Sequence, residues 1–267
     1  MISSTLPSKL KKISIKILKA VFVTAFWILV WEAVSRFVAR DNELMYLLLP
    51  RPETVFKKWL EIAFTGQYLS AVFKTIQRII SGFLIGLVCG LSAGVLTHLL
   101  KVADWILSPL FKIIRAVTVV AITILFFSLF KSEYLPVCIV ALMVTPLIWQ
   151  TVHDGLSAPE TELSEMARVF RLGTVKALVY IKLPSLLPSL LTATVNALGL
   201  AWKSGIAAEV ICEPDVALGT VLMQGKGMID FSSVYAVTLT VVILSLIIEV
   251  LLKFLCRRFV GRREAVR

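Results

Sequence analysis

Six times along this chain a run of about 20 residues passes with few or no charges, the length an α-helix needs to cross the hydrocarbon of a bilayer. At that depth no water satisfies backbone N–H and C=O groups, so each run must bond within itself as a helix. The spacing predicts spans at about 17–38, 76–98, 112–130, 135–154, 185–208 and 231–255. Composition agrees: 58% of residues are hydrophobic and 17% charged, against roughly 45–50% and about 25% in soluble domains. The expectation is one all-α integral membrane domain over 1–267.

The first run is preceded by Lys9, Lys11, Lys12, Lys16 and Lys19 and continues through Trp27 and Trp31 to Val38 with no small-residue cleavage site. It reads as an uncleaved first span rather than a signal peptide. An even number of spans returns both ends to one side. Setting aside Arg36, Arg78 and Lys203, 18 Lys and Arg residues fall in the loops and span ends on the side of the termini and seven on the other. Basic residues collect in cytoplasmic loops, so the expected topology is N-in, C-in. The formal net charge of +11 is thereby explained by the inner membrane surface, without nucleic acid.

Metal and nucleophile chemistry finds little support. Cys89, Cys138, Cys212 and Cys256 form no CxxC pair, and His98 and His153 belong to no HExxH motif. The stretch Gly219–Lys226 has five residues between its glycines and Gly227 after the lysine, so it fails the G-x4-G-K-[ST] phosphate loop. No catalytic residue and no cofactor of its own are expected in this chain. Asp154, Glu209 and Glu249 are scattered singles, which argues against a membrane-embedded lipid enzyme. No internal repeat supports the other alternative, an ion-coupled secondary transporter.

Two loops have internal pattern. Residues 50–67 open with Pro50-Arg51-Pro52-Glu53 and place Val55, Trp59, Ile62 and Ala63 at helical spacing, as in a short amphipathic helix at the outer interface. Residues 158–184 place Leu163, Met166, Ala167 and Phe170 on one stripe, with Gly173 suited to end that helix. A second short run, Thr174–Lys182, ends at Leu183-Pro184. An apolar helix face outside the bilayer covers either the protein's own helix ends and the inner leaflet or a partner's groove. Periodicity leaves both open.

Within the spans, Gly82, Gly86, Gly90 and Gly94 recur every fourth residue and allow another helix to approach closely, either within the subunit or at a moving subunit interface. Lys203 is the costliest residue, because a charge in a span must face protein, water or a partner. It shares a stripe with Asn196, Gly199 and Ile206; Trp202 is adjacent and Glu209 follows six residues on. Lys203 either pairs with another span or, with Asn196, Trp202 and Glu209, lines a path across the membrane.

The sequence Glu165-Met166-Ala167, then Gly173, then Ile181-Lys182-Leu183-Pro184 resembles the EAA loop of bacterial ABC importer permeases, with Met166 in place of an alanine. Leu49-Pro50-Arg51-Pro52, Thr75-x2-Arg78-x3-Gly82-Phe83 and Gly199-x-Ala201-Trp202 through Ala208-Glu209 are similar to the nitrate/sulfonate/taurine-type group, across roughly 45–255. That group has a proline-rich start to span three. This chain reads Arg115-Ala116-Val117-Thr118-Val119-Val120 there, with no proline to bend it.

The resemblance implies the six-helix type I (MetI-like) permease fold in the bacterial inner membrane. It implies that the loop at 158–184 docks an ATPase through Leu163, Glu165, Met166, Ala167, Phe170, Gly173, Leu183 and Pro184. The implied partners are a second permease copy or a similar permease, two ATP-binding cassette subunits holding ATP and Mg, and an extracytoplasmic substrate-binding protein. The implied solute is small: nitrate, bicarbonate, a sulfonate such as taurine, or a vitamin precursor.

Overall fold

The computed structural model describes residues 6–39, 47–129, 131–157, 173, 180 and 182–264, with side chains described for 18, 19, 21–38, 47–129, 131–157, 173, 180 and 182–254. Among these residues the chain is helical throughout: α1 Leu6–Ala39, α2 Pro52–Ala63, α3 Gly66–Leu99, α4 Lys101–Ala116, α5 Val119–Phe127, α6 Leu135–Ser157, α7 Leu183–Cys212, α8 Leu218–Gly227 and α9 Phe231–Glu264. Five helices are long and apolar enough to cross a membrane, in Val21–Val38, Gly66–Leu99, Leu135–Ser157, Leu183–Cys212 and Phe231–Phe254. A sixth crossing exists if α4 and α5 count together.

The expected third span is where the structure departs from the reading of 112–130 as one helix. α4 and α5 meet at a bend of 102°. Val117 (φ −83°, ψ 140°) and Thr118 (φ −72°, ψ 145°) are extended. The break falls in Val117-Thr118-Val119-Val120, four β-branched residues with a preference for extended backbone. Arg115 closes the amphipathic α4, and the uncharged α5 begins beyond the break. A bend therefore exists without the proline.

The helices gather into two compact units, Met1–Thr65 with Gln224–Thr238, and Gly66–Met223 with Leu239–Arg267. In the first, Pro52 opens α2, whose Val55 is buried, and the Ser35 hydroxyl donates to the Leu49 carbonyl at 2.9 Å. Asp230 precedes α9 and accepts from the Ser233 amide (3.1 Å) and hydroxyl (2.6 Å), an N-terminal cap. Burial pushes the Asp230 carboxyl up, but the Ser233 bonds and the nearby Lys58 charge outweigh it and hold the group below its ordinary value.

The second unit is built on the pairing of α3 with α6. A Cβ placed on Gly82, Gly86, Gly90 or Gly94 would lie 2.7, 2.7, 2.7 or 2.5 Å from the Cβ of Val140, Val144, Ile148 or Val152. Two stripes of period four, one without side chains and one β-branched, thus interlock along the pair, and the glycines let the backbones close. These partners on α6 are at most 2% exposed. α7 packs on the same core through Ala197, Ala201 and Trp202. Gly205 gives room to Ile79 of α3, 2.6 Å from where a Cβ would stand.

Candidate functional site

At one end of this second unit a buried charge cluster ties four segments together. Arg78, at the edge of the apolar part of α3, turns inward with 8% of its side chain exposed. One guanidinium nitrogen donates to the Glu209 carboxylate of α7 at 3.3 Å and to the Val216 carbonyl at 2.8 Å. The other donates to Glu133, on the turn before α6. Glu209 is 0% exposed and also accepts from the Thr75 hydroxyl (2.8 Å) and the Gly219 amide (3.4 Å). Burying a carboxylate in a span is expensive unless it is paired and its remaining lone pairs are met; here both conditions hold.

The α7–α8 linker closes over this cluster. Glu213 ends α7 in the left-handed conformation (φ 43°, ψ 62°), its amide donating to the Glu209 carbonyl. The Leu218 amide then donates to Thr75 Oγ1 (3.0 Å), the Asp215 amide to Glu133 (3.1 Å), and the Thr220 hydroxyl to the Pro214 carbonyl (2.5 Å). Gly219 lies so close to Glu209 that a Cβ would stand 2.5 Å from its carbonyl carbon and its Cβ, so glycine is required for the approach. Beside the cluster opens a cleft of about 640 Å³ lined by Lys74, Gln77, Arg78, Ser81, Glu133, Tyr134, Val137, Asp215 and Val216.

The opposite end of the unit has its own polar joint. Lys182, at the start of α7, donates to the Leu156 carbonyl of α6 (3.1 Å) and lies 3.3 Å from His98 Nε2 of α3. His153 reaches Asp104 of α4 (3.2 Å) and Asp154 (3.3 Å). The chain entering α7 is thus fastened to the ends of α3 and α6.

Most of the expected ATPase-docking residues, Leu163, Glu165, Met166, Ala167 and Phe170, lie outside the described residues. Gly173 is exposed and a Cβ there would meet nothing within 4 Å among the described residues, and Leu183 and Pro184 are exposed at the start of α7. Of the four expected path residues, the structure separates two from two. Asn196 and Lys203 are exposed on one face of α7, and a Cβ at Gly199 would meet nothing within 4 Å. Trp202 is 3% exposed and donates its indole N–H to the Val241 carbonyl at 3.2 Å. Glu209 is sealed against Arg78. These two tie helices of the subunit together. The residues that sequence reasoning did not assemble are Thr75, Arg78 and Glu133. Their signal was an arginine at the edge of one span and a glutamate at the end of another, since opposite charges at that depth pair.

Residues 82–261 match the family described as binding-protein-dependent transport system inner membrane component. A putative aliphatic sulfonates transport permease protein of Bacillus subtilis is 24% identical over 220 residues, 82% of this chain and 78% of its own. A bicarbonate transport system permease protein of Synechococcus elongatus is 29% identical over 148 residues, 54% of this chain and 52% of its own. In structure, the chain is similar to a subunit of the MetNI methionine ABC transporter in an inward-facing conformation, with a TM-score of 0.62, 19% identity, and cover of 75% of this chain and 97% of that one. The all-helical fold with its apolar spans, the structural likeness and the family match over two thirds of the sequence converge: the chain belongs to the inner-membrane permease components of binding-protein-dependent ABC import systems.

Proposed function

We propose that two copies of this chain form a path for a small oxyanion, that both termini face the cytoplasm, and that ATP is hydrolysed by two separate subunits docked under residues 158–184. The charge asymmetry of the loops supports the orientation. The EAA-like pattern from Glu165 to Pro184 supports the docking surface. In this reading ATP binding draws the two docking loops together, and the spans rock between outward and inward access. The Asn196–Gly199–Lys203 face of α7 lines the path. The observation that carries this part is the exposed polar stripe itself: Lys203 forms no ion pair among the described residues, and a membrane-embedded charge left by its own subunit must meet water, solute or a second subunit. The relatives named for aliphatic sulfonates and bicarbonate support an oxyanion.

Two measurements test this reading. Lys203→Met is expected to cut uptake at least tenfold while the subunit still assembles; normal uptake with unchanged preference removes Lys203 from the path. Glu165→Lys is expected to lose co-purification of the ATPase or the stimulation of its activity by transport. A Glu165→Lys complex that stays fully coupled rejects the docking surface.

A further inference from the structure

The two carboxylates on Arg78 are not equivalent. Glu209 is fully enclosed and held by Thr75, Arg78 and the Gly219 amide. Glu133 sits on a short turn with 42% of its side chain exposed, at the wall of the 640 Å³ cleft. Its two oxygens are met by two donors from different segments, the Arg78 guanidinium and the Asp215 backbone amide. Convergent charge-assisted and amide donors of this kind make a carboxylate-shaped receptor. Around it the α3 face offers Lys74, Gln77 and Ser81 at helical spacing, and none of the three side chains forms a hydrogen bond among the described residues. The cleft has room for a solute of several heavy atoms, since a water takes about 30 Å³.

We propose that the Arg78 guanidinium and the Asp215 amide form a binding site for a small monovalent oxyanion, which Glu133 fills from within until a solute displaces it. Charge conservation selects the occupant. Glu209 keeps Arg78 paired when Glu133 swings away, so replacing one carboxylate by one monoanion leaves the local charge unchanged and both donors satisfied. A cation or an apolar molecule offers no acceptor to the guanidinium N–H and the amide that Glu133 would leave. Lys74, Gln77 and Ser81 supply further donors to an oxyanion larger than a carboxylate. The site rests on the importer reading and, under the proposed orientation, opens to the side from which a binding protein delivers its solute.

The test uses the whole transporter with its ATPase, in phospholipid nanodiscs and in phospholipid-free detergent, with methanesulfonate as probe and tetramethylammonium as the cationic control. Glu133→Ala is expected to bind methanesulfonate at least tenfold more tightly than the wild type by calorimetry. Adding Lys74→Met is expected to reverse at least threefold of that gain, and tetramethylammonium to show none. Glu133→Gln, which keeps the shape and removes the charge, is expected to fall between, and it carries the test if Glu133→Ala does not assemble. Equal methanesulfonate affinity in the wild type and both variants overturns the proposal, as does an equal gain for the cation. Binding that appears only in phospholipid-free detergent makes a lipid headgroup the occupant and overturns the solute assignment. A wild-type chain that retains no ATPase would instead overturn the importer reading on which the site rests.

Discussion

Gly86→Leu is expected to leave no assembled subunit in the membrane, while Gly66→Ala, on the same helix, leaves yield and melting temperature unchanged. At Gly86 even a Cβ would stand 2.7 Å from the Cβ of Val144 and 2.8 Å from the Ala141 carbonyl oxygen. Neither atom is the loose end of a side chain; both belong to the rigid part of a buried helix. At Gly66 nothing lies within 4 Å. One added methylene in a well-packed core costs about 1–3 kcal/mol, so Gly86→Ala is expected to lower the melting temperature measurably. An isobutyl group on that stripe forces α3 off α6 along the pairing on which the second unit is built. Detergent-solubilised yield and a thermal-shift series over Gly82, Gly86, Gly90 and Gly94 check this. A well-folded Gly86→Leu subunit would refute the interlocked arrangement.

Arg78→Met is the second large effect expected. It strands Glu209, 0% exposed, without a counter-charge. Breaking a buried pair by removing one partner costs about 3–5 kcal/mol, whereas replacing both partners by neutral groups is far milder. The double variant Arg78→Met/Glu209→Gln is therefore expected to recover much of the stability lost in the single one, since the Gln carboxamide oxygen can still accept from Thr75. A thermodynamic cycle on the purified complex separates these cases. If the double variant melts lower than Arg78→Met alone, the ionic account of this cluster is wrong.

How far these features could be read before the structure depends on the range of the interaction that fixes each. Helix placement is local: four apolar runs became α3, α6, α7 and the membrane-crossing part of α9 with boundaries extended by polar or basic ends, and the stripe of Val55, Trp59 and Ile62 became α2. The glycine stripe announced close approach, but its partner depended on register. Only the structure shows that the same period of four recurs on α6 in Val140, Val144, Ile148 and Val152. The bend in the third span was hidden because no proline marks it, and consecutive β-branched residues are equally common in straight membrane helices. Glu209 was the least legible. Its partners Arg78 and Thr75 are 131 and 134 residues away in sequence, and spacing along one helix carries no information about them. Lys203 was more legible because its environment is set by the face of its own helix, shared with Asn196 and Gly199.

The continuity of α7 has a mechanical consequence. Thirty residues run without interruption from the loop exit at Leu183 to Cys212, three residues past Glu209, a rod of about 45 Å at the rise of an α-helix. Pivoting such a rod by roughly 10° about one end carries the other through about 8 Å. A modest tug at the Leu183 end is thereby magnified into a displacement as wide as a small solute, and Pro188, close to that end, is the point where the rod lacks a backbone hydrogen bond.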